Sequence, residues 1–316
     1  MWTEGAMAAP RITGLERWGA ALRAICGPFD TRPLDDEIHA DGLGGSIARR
    51  RLGRLDVADL VIPPSRILKT AEGLRETSDR YVFMILQCSG RATLRQTGRE
   101  ARLGPGDFTF IDSRYPSEFI FEREVSQLSY HLPWRVLEDC FGRDIEHRLP
   151  VAITVPGQRG AGFLVAHFMR DLIRHEADLD REGGDAALDA LLGMISQLMR
   201  QLPAGGQTAN HRLLSRIEQY VDTMLDDPDL DIERIARDNH VSRRTLYRLF
   251  AGIGTSPSSW LWDRRLERAR RLLKSPAHAD MSITEIAHSC GFRDHAHFTR
   301  RFRERFGNPP SAYRGG

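Results

Sequence analysis

Two sets of side chains near the end of this 316-residue chain combine hydrogen-bond donors with helical spacing. Arg244, Tyr247 and Arg248 are three and four residues apart, and so are His297, Arg300 and Arg301. Residues at these separations share one face of a helix. A guanidinium on such a face can donate two parallel hydrogen bonds to O6 and N7 of a guanine in a major groove. The plain alternative is solvated surface charge, and local context has to separate the two readings.

That context is a duplicated supersecondary unit. Ile232 to Phe250 and Ile283 to Phe302 repeat each other: Ile235-Ala236 matches Ile286-Ala287, and Leu246 and Phe250 match Phe298 and Phe302 after one residue is gained in the turn. Each copy reads as helix, tight turn, helix, the small alanine letting the second helix cross close over the first. Asp231, Ser242 and Asp294 stand at N-cap positions, and Ser282 with Glu285 spells a capping box. Leu246, Leu249 and Phe250, and likewise Phe298, Phe302 and Phe306, form the core faces. Between the copies, Ser256 caps a long helix with Pro257 at its first position and an apolar stripe from Trp260 to Leu273. A helix of that length spans roughly 22–27 Å. Adjacent major-groove segments on one DNA face are about 34 Å apart, so such a helix suits the bridging of two of them.

With these residues in view, Asn210 to Arg314 resembles the DNA-binding domain of the AraC/XylS family of bacterial transcription regulators. The resemblance is carried by Ala236, Ser242, Leu246, Arg248 and Phe250 in the first unit. In the second it is carried by Ile286-Ala287, Cys290-Gly291-Phe292, Phe298, Phe302, Phe306-Gly307 and Pro310. It implies base-edge readers at Arg244, Tyr247, Arg248, Ala296, His297 and Arg300, and a DNA-contacting set that also includes Ser242, Arg243, Thr245, His295 and Arg301. Ala296 offers only a methyl contact to thymine, so the second unit is expected to discriminate less. The resemblance also implies a homodimer that contacts RNA polymerase, with activation the expected sign of control.

Charge agrees with this assignment. Residues 210–316 carry 19 Lys+Arg against 14 Asp+Glu, whereas residues 1–209 carry 26 against 29. The basic excess lies where phosphates would dock. Four scattered cysteines without metal-ligand spacing suit a reducing cytosol. No run of some 18 apolar residues reads as a membrane span, and the first residues lack the pattern of a secretion signal. A cytoplasmic protein is expected.

The preceding half of the chain changes character. Gly14 to Cys26 reads as an amphipathic helix, and Pro28 to Gly45 as loop. From Gly45 to about Pro133 come short runs rich in β-formers. The expected strands are Leu55–Ile62, Arg66–Thr70, Tyr81–Gln87, Ala92–Gln96, Asp107–Ile111, Glu118–Phe121 and Val125–Leu132. Leu103-Gly104-Pro105-Gly106-Asp107-Phe108 resembles the turn-and-strand signature of cupin jelly rolls, and residues 14–138 resemble the cupin-like sensing domain of many AraC/XylS members. A metal-dependent cupin needs converging histidines and a carboxylate. Here His39 precedes the barrel, and His131 stands alone near its last strand as an expected hydrogen-bonded structural residue. No metal, cofactor or catalytic residue is expected. The barrel reads as a pocket for a small-molecule effector without chemistry. Tyr81, Phe83, Ile85 and Gln87 share one face of a strand whose other face, Val82, Met84 and Leu86, is also apolar, so the strand is expected to be doubly buried.

Residues 134–142 read as a short helix. Gly162–His175, with Phe163, Ala166, Phe168-Met169, Leu172 and Ile173 in its apolar stripe, and Asp185–Leu202 follow as amphipathic helices, with Arg181-Glu182-Gly183-Gly184 turning between them. The hairpin either packs on the barrel or forms a dimer interface. Residues 203–208 read as a flexible linker, and the helix Leu213–Leu225, with Leu213, Ile217, Tyr220, Val221 and Met224 as its expected buried stripe, opens the DNA-binding domain. The expected fold class is α+β: residues 1–155 a cupin-like β-barrel, 156–204 a helical hairpin, and 210–316 an all-α tandem helix-turn-helix domain. Function is expected to be effector-controlled, sequence-specific DNA binding. An effector-independent regulator, or a cupin-type enzyme with a DNA-binding tail, are the alternatives.

Overall fold

The computed structural model describes residues 9–34, 42–70, 73, 80–142, 145, 149–201 and 209–314. The expected linker at 203–208 lies outside them, as do His39 and Leu202. The chain divides into two compact units at Thr208/Ala209.

The first unit is built on two antiparallel sheets. Strands β1 (Ile12–Thr13), β3 (Gly44–Leu52), β4 (Leu55–Ile62), β6 (Tyr81–Ser89), β9 (Phe108–Asp112) and β11 (Val125–Pro133) form one, in the order β1-β3-β4-β11-β6-β9. Strands β2 (Asp30–Arg32), β5 (Ser65–Lys69), β7 (Ala92–Gln96), β8 (Arg99–Leu103) and β10 (Ser117–Phe121) form the other, in the order β2-β5-β10-β7-β8. Seven of these strands were expected within two residues. The reading missed β1, β2, β3 and β8. Two of them are short, and β3 and β8 are rich in arginine. In β8 the inward face is Arg99, Ala101 and Leu103, while Glu100 and Arg102 face solvent. Such a half-charged strand at a sheet edge carries little apolar signal.

The turn Gly104–Asp107 carries the chain from β8 in the second sheet to β9 in the first. Gly106 takes φ 91°, and the Asp107 carboxylate accepts from the Gly104 N–H (2.9 Å) and the Gly157 N–H (3.2 Å). Helix α1 (Leu15–Cys26) buries Leu15, Trp18 and Leu22. Helix α2 (Trp134–Phe141) follows β11, and α3 (Gly160–Arg174) and α4 (Arg181–Gln201) form the hairpin. Their buried residues join the same apolar core as the strands. Strand β6 is therefore buried on both faces, as expected.

Two expectations for this hairpin are corrected. Arg181 to Gly184 is not a turn but the first turn of α4; the chain reverses earlier, through Glu176–Asp178. Asp180 accepts from the Gly183 N–H (2.7 Å), and a Cβ on Gly184 would lie 2.6 Å from the Gly53 nitrogen. Gly184 therefore serves close packing of a helix on the β3–β4 hairpin, a role that looks in sequence like a breaker. Phe163, expected in the buried stripe, is 41% exposed, because Gly162, Val165 and Ala166 take the inner positions.

The second unit is all helix: α5 (Ala209–Thr223), α6 (Ile232–Asp238), α7 (Arg243–Ala251), α8 (Pro257–Lys274), α9 (Ile283–Ser289), α10 (His295–Phe306) and α11 (Pro310–Arg314). In α5 the buried residues are Leu214, Ser215, Ile217, Glu218 and Val221, not Leu213 and Tyr220. Tyr220 is half-buried because its hydroxyl reaches out to donate to Asp238 (2.6 Å).

Candidate nucleic-acid interface

Each helix-turn-helix is assembled by its caps and its turn. Asp231 accepts from the Arg234 N–H (2.8 Å), Ser242 from the Thr245 N–H (3.1 Å), and Asp294 from the N–H groups of Ala296 (3.0 Å) and His297 (3.1 Å). Ser282 and Glu285 form the reciprocal box expected from their spacing. Such caps satisfy N–H groups that a helix start leaves without partners. The two turns close with the same bond, Val241 N–H to Ala236 C=O (2.9 Å) and Phe292 N–H to Ala287 C=O (3.0 Å). Both turns need a left-handed residue at the equivalent place, His240 (φ 55°) and Gly291 (φ 76°). Buried Ala236 and Ala287 sit at the crossings.

The core faces are as expected for Leu246, Leu249, Phe250, Phe298 and Phe302, all buried, while Phe306 is half-buried against Tyr313 and Phe302. Helix α8 packs against helices of both helix-turn-helix motifs, with Leu261, Leu266, Ala269 and Leu273 inward. Arg265, also on α8 and only 2% exposed, donates to the carbonyl oxygens of Asp227 (2.7 Å) and Leu230 (3.4 Å), just ahead of α6. Its guanidinium also lies against Gly291, where a Cβ would come within 2.8 Å of Nε. One buried side chain thus touches the approach to the first motif and the turn of the second. Its low exposure gave no warning in sequence, where it is one arginine among many. Arg305 of α10 pairs with Asp263 (3.4 Å) and Glu267 (3.7 Å) of α8 and fixes the second recognition helix to the same scaffold.

What remains free faces outward. On α7, Arg244, Tyr247 and Arg248 are exposed, and the guanidinium groups of Arg244 and Arg248 have no bonded partner among the described residues. Arg243 pairs with Glu233 (2.6 Å), and Ser242 and Thr245 share a hydroxyl–hydroxyl bond (2.9 Å) at the helix start. On α10, His295, Ala296 and Arg300 are exposed and line one shallow groove together with Thr299 and Arg303. Thr299 and Arg303 were missed; Arg303 lies three residues beyond Arg300, and extending the helical spacing by one step finds it.

One expectation is corrected here. His297 does not stand free on the outer face. Its half-buried ring lies edge-on to Trp262, centroids 5.1 Å apart at 86°. The Arg301 guanidinium lies 5.9 Å from the centre of the same indole. Trp262 comes from α8, so only the tertiary fold reveals that these two side chains lean on the scaffold.

Comparison with known proteins agrees with this architecture. Residues 211–316 match the model of a helix-turn-helix domain, and residues 18–198 match that of the AraC-binding-like domain. The chain belongs to the AraC/XylS family of transcription regulators. It is 28% identical over 305 residues to the transcriptional activator NphR of Rhodococcus sp, covering 95% of this chain and 89% of that protein. It is 32% identical over 266 residues to the transcriptional activator RhrA of Rhizobium meliloti (strain 1021), covering 82% of this chain and 81% of that one. The crystal structure of the AraC-like transcriptional activator CuxR superposes with a TM-score of 0.54 at 22% identity, over 82% of this chain and 94% of the other, and supports the fold. This family member is thus a DNA-binding regulator of transcription, with an α+β fold. No helix among the described residues is long and apolar enough to cross a membrane, and no cluster of three or more histidine, cysteine or carboxylate side chains is placed to hold a metal ion.

Proposed function

We propose that this protein is a cytoplasmic, effector-responsive transcriptional activator that binds paired half-sites as a homodimer and engages RNA polymerase there. The observation that carries the DNA-reading part is the pair of capped helices on one scaffold whose outward arginines, Arg244, Arg248 and Arg300, have no bonded partner among the described residues. A guanidinium held out by a rigid helix and unpaired at home is available for a base edge or a phosphate. In this reading Arg244, Tyr247 and Arg248 specify the first groove segment. His295, Ala296 and Arg300 address the second, and Ser242, Arg243, Thr245, His297 and Arg301 contribute phosphate contacts or support. Activation is supported by NphR and RhrA, both named as activators. Control by a small molecule is supported by the AraC-binding-like match; bound effector would shift the balance between domain arrangements.

The test is selection from a pool of random duplex oligonucleotides with the purified full-length protein. A recovered motif of two direct half-sites is expected. Recovery of unrelated sequences, with binding that only falls as salt rises, would overturn the specific-regulator reading.

A further inference from the structure

Helix α8 is the covalent link between the two motifs, and its joints alone do not fix how one recognition helix is turned relative to the other. Residues 252–256 connect α7 to α8, with Gly254 left-handed at φ 72°, and residues 275–282 connect α8 to α9. A second connection runs beside the helix. Residues 224–231, which lead from α5 into α6, lie against the turn of the second motif. The Gly291 backbone packs so closely on the Leu225 carbonyl that a Cβ would come within 2.5 Å of that oxygen. Arg293, just ahead of α10, forms an ion pair with Asp229.

Arg265 fills the space between these two segments. On one side it donates to the carbonyl oxygens of Asp227 and Leu230. On the other, a Cβ at Gly291 would meet its Nε at 2.8 Å and its Cζ at 3.0 Å. The Nε is buried and has no hydrogen-bond partner among the described residues. The nearby Asp227 carboxylate is held by Arg234 of α6 (2.6 Å). Two neutral carbonyl groups offset only part of the cost of burying a charge, and an apolar side chain of similar volume would fill the space at less cost. What a guanidinium adds is direction, because its rigid planar fork donates along fixed lines. The Arg234–Asp227 pair ties the stretch to α6, while the Asp294 cap and the Phe292–Ala287 bond tie the turn to α10 and α9. Position therefore passes from one motif to the other through residues 225–230 and Arg265 as well as through α8.

We propose that Arg265 and the Asp229–Arg293 pair are positioning residues which, together with α8, close a frame around the two motifs and restrict the protein to one spacing of the two groove segments within a half-site. This inference rests on the reading that both recognition helices enter the DNA. One inserted base pair moves the second segment by about 3.4 Å along the duplex and turns it by about 35°. Two motifs hung on a single helix can follow part of that shift by bending at the joints. A frame closed at a second place cannot follow it without breaking a contact. The ion pair is exposed and adds little to stability, so its loss is expected to change spacing tolerance rather than folding.

The test uses full-length protein and the half-site recovered by selection, with one base pair inserted or removed between its two boxes. Wild-type protein is expected to bind the recovered spacing at least about tenfold more tightly than either altered one, as for a mismatched site. Arg265→Met and Asp229→Arg, the latter setting two guanidinium groups against each other, are expected to narrow this ratio to about threefold or less while keeping the base preference of each box. The reversed pair, Asp229→Arg with Arg293→Asp, is expected to restore the wild-type ratio at unchanged net charge. Should Arg265→Met fail to fold, the exposed pair and its reversal still decide the matter. Variants that bind every spacing more weakly by the same factor, or that melt earlier with the ratio unmoved, would reduce these residues to structural support and overturn the proposal. Equal binding of all spacings by the wild-type protein, with both boxes still read, would sink the frame and leave the two-helix reading standing. A selected half-site with only one box would sink that reading and the frame with it.

Discussion

At the scale of single residues, what a side chain can do here depends on whether the fold has already used it. Arg265 and Arg305 are spent on carbonyl oxygens and carboxylates of the scaffold, whereas Arg248 is exposed and has no bonded partner among the described residues. Arg248→Ala is expected to weaken binding to the selected site by about 1–3 kcal/mol and to relax preference at one base position. Fluorescence anisotropy against single-base variants of the site checks this. An equal loss on every sequence would mark Arg248 as a phosphate contact. Lys69 and His131 illustrate burial without compensation. Burial pushes Lys69 from 10.5 to about 8 and His131 from 6.5 to about 4. For both, the unfolded chain binds the proton more tightly, so stability rises with pH across each interval. Below pH 8 the ligand-free protein carries the full cost of the buried Lys69 charge, on the order of 3 kcal/mol. Lys69→Met should therefore raise the unfolding free energy of the ligand-free protein at pH 7, and the gain should shrink between pH 8 and 10.5. Equilibrium urea unfolding across that range would show it, and a variant less stable at pH 7 would refute it. The His131 contribution is present above pH 6.5 and is lost as pH falls from 6.5 towards 4.

At the scale of elements, the two helix-turn-helix units are built to one plan with different tolerances. Each turn demands a left-handed residue, and the first unit meets the demand with His240 at φ 55°, while the second uses Gly291. Space accounts for the difference. A Cβ at Gly291 would lie 2.5 Å from the Leu225 carbonyl oxygen and 2.8 Å from Arg265 Nε. Gly291→Ala is expected to destabilise the second unit by about 1–3 kcal/mol through backbone strain and this clash. Circular dichroism melting of residues 209–316 would reveal the loss, and an unchanged melt would show that the Leu225 backbone and Arg265 can yield. The same contrast explains Gly184, whose absent side chain lets α4 lie against the β3–β4 hairpin. A glycine in sequence signals a turn or a close contact with equal strength, and only a neighbour distinguishes them.

At the scale of the whole molecule, two compact units divide the work, each with its own buried core. Residues 209–316 are accordingly expected to fold alone and to recover the half-site motif in the selection, with weaker binding than the full chain if pairing of subunits adds affinity. Its net charge of +5, from 19 Lys+Arg against 14 Asp+Glu over residues 210–316, predicts affinity that falls with salt. An unfolded fragment would show that the second unit depends on the first.

By itself the sequence determined the duplicated motif, its four caps, the buried faces of α7 and α10, and the outward arginines. All of these rest on spacing within about twenty residues, and helical periodicity and cap chemistry are local. It also determined seven of the strands, among them β6 with apolar residues on both faces. What only the tertiary structure decided involves partners distant in the chain. That His297 and Arg301 lean on Trp262 depends on α8 crossing α10. That Arg265 is a core residue depends on carbonyl groups 35 and 38 positions away. That Lys69 is buried against two aromatic rings depends on Phe29 and Phe83 reaching it from two different sheets and their connections. A one-dimensional pattern records which side chains could bury or bond, and the packing of distant segments settles which of them found a partner.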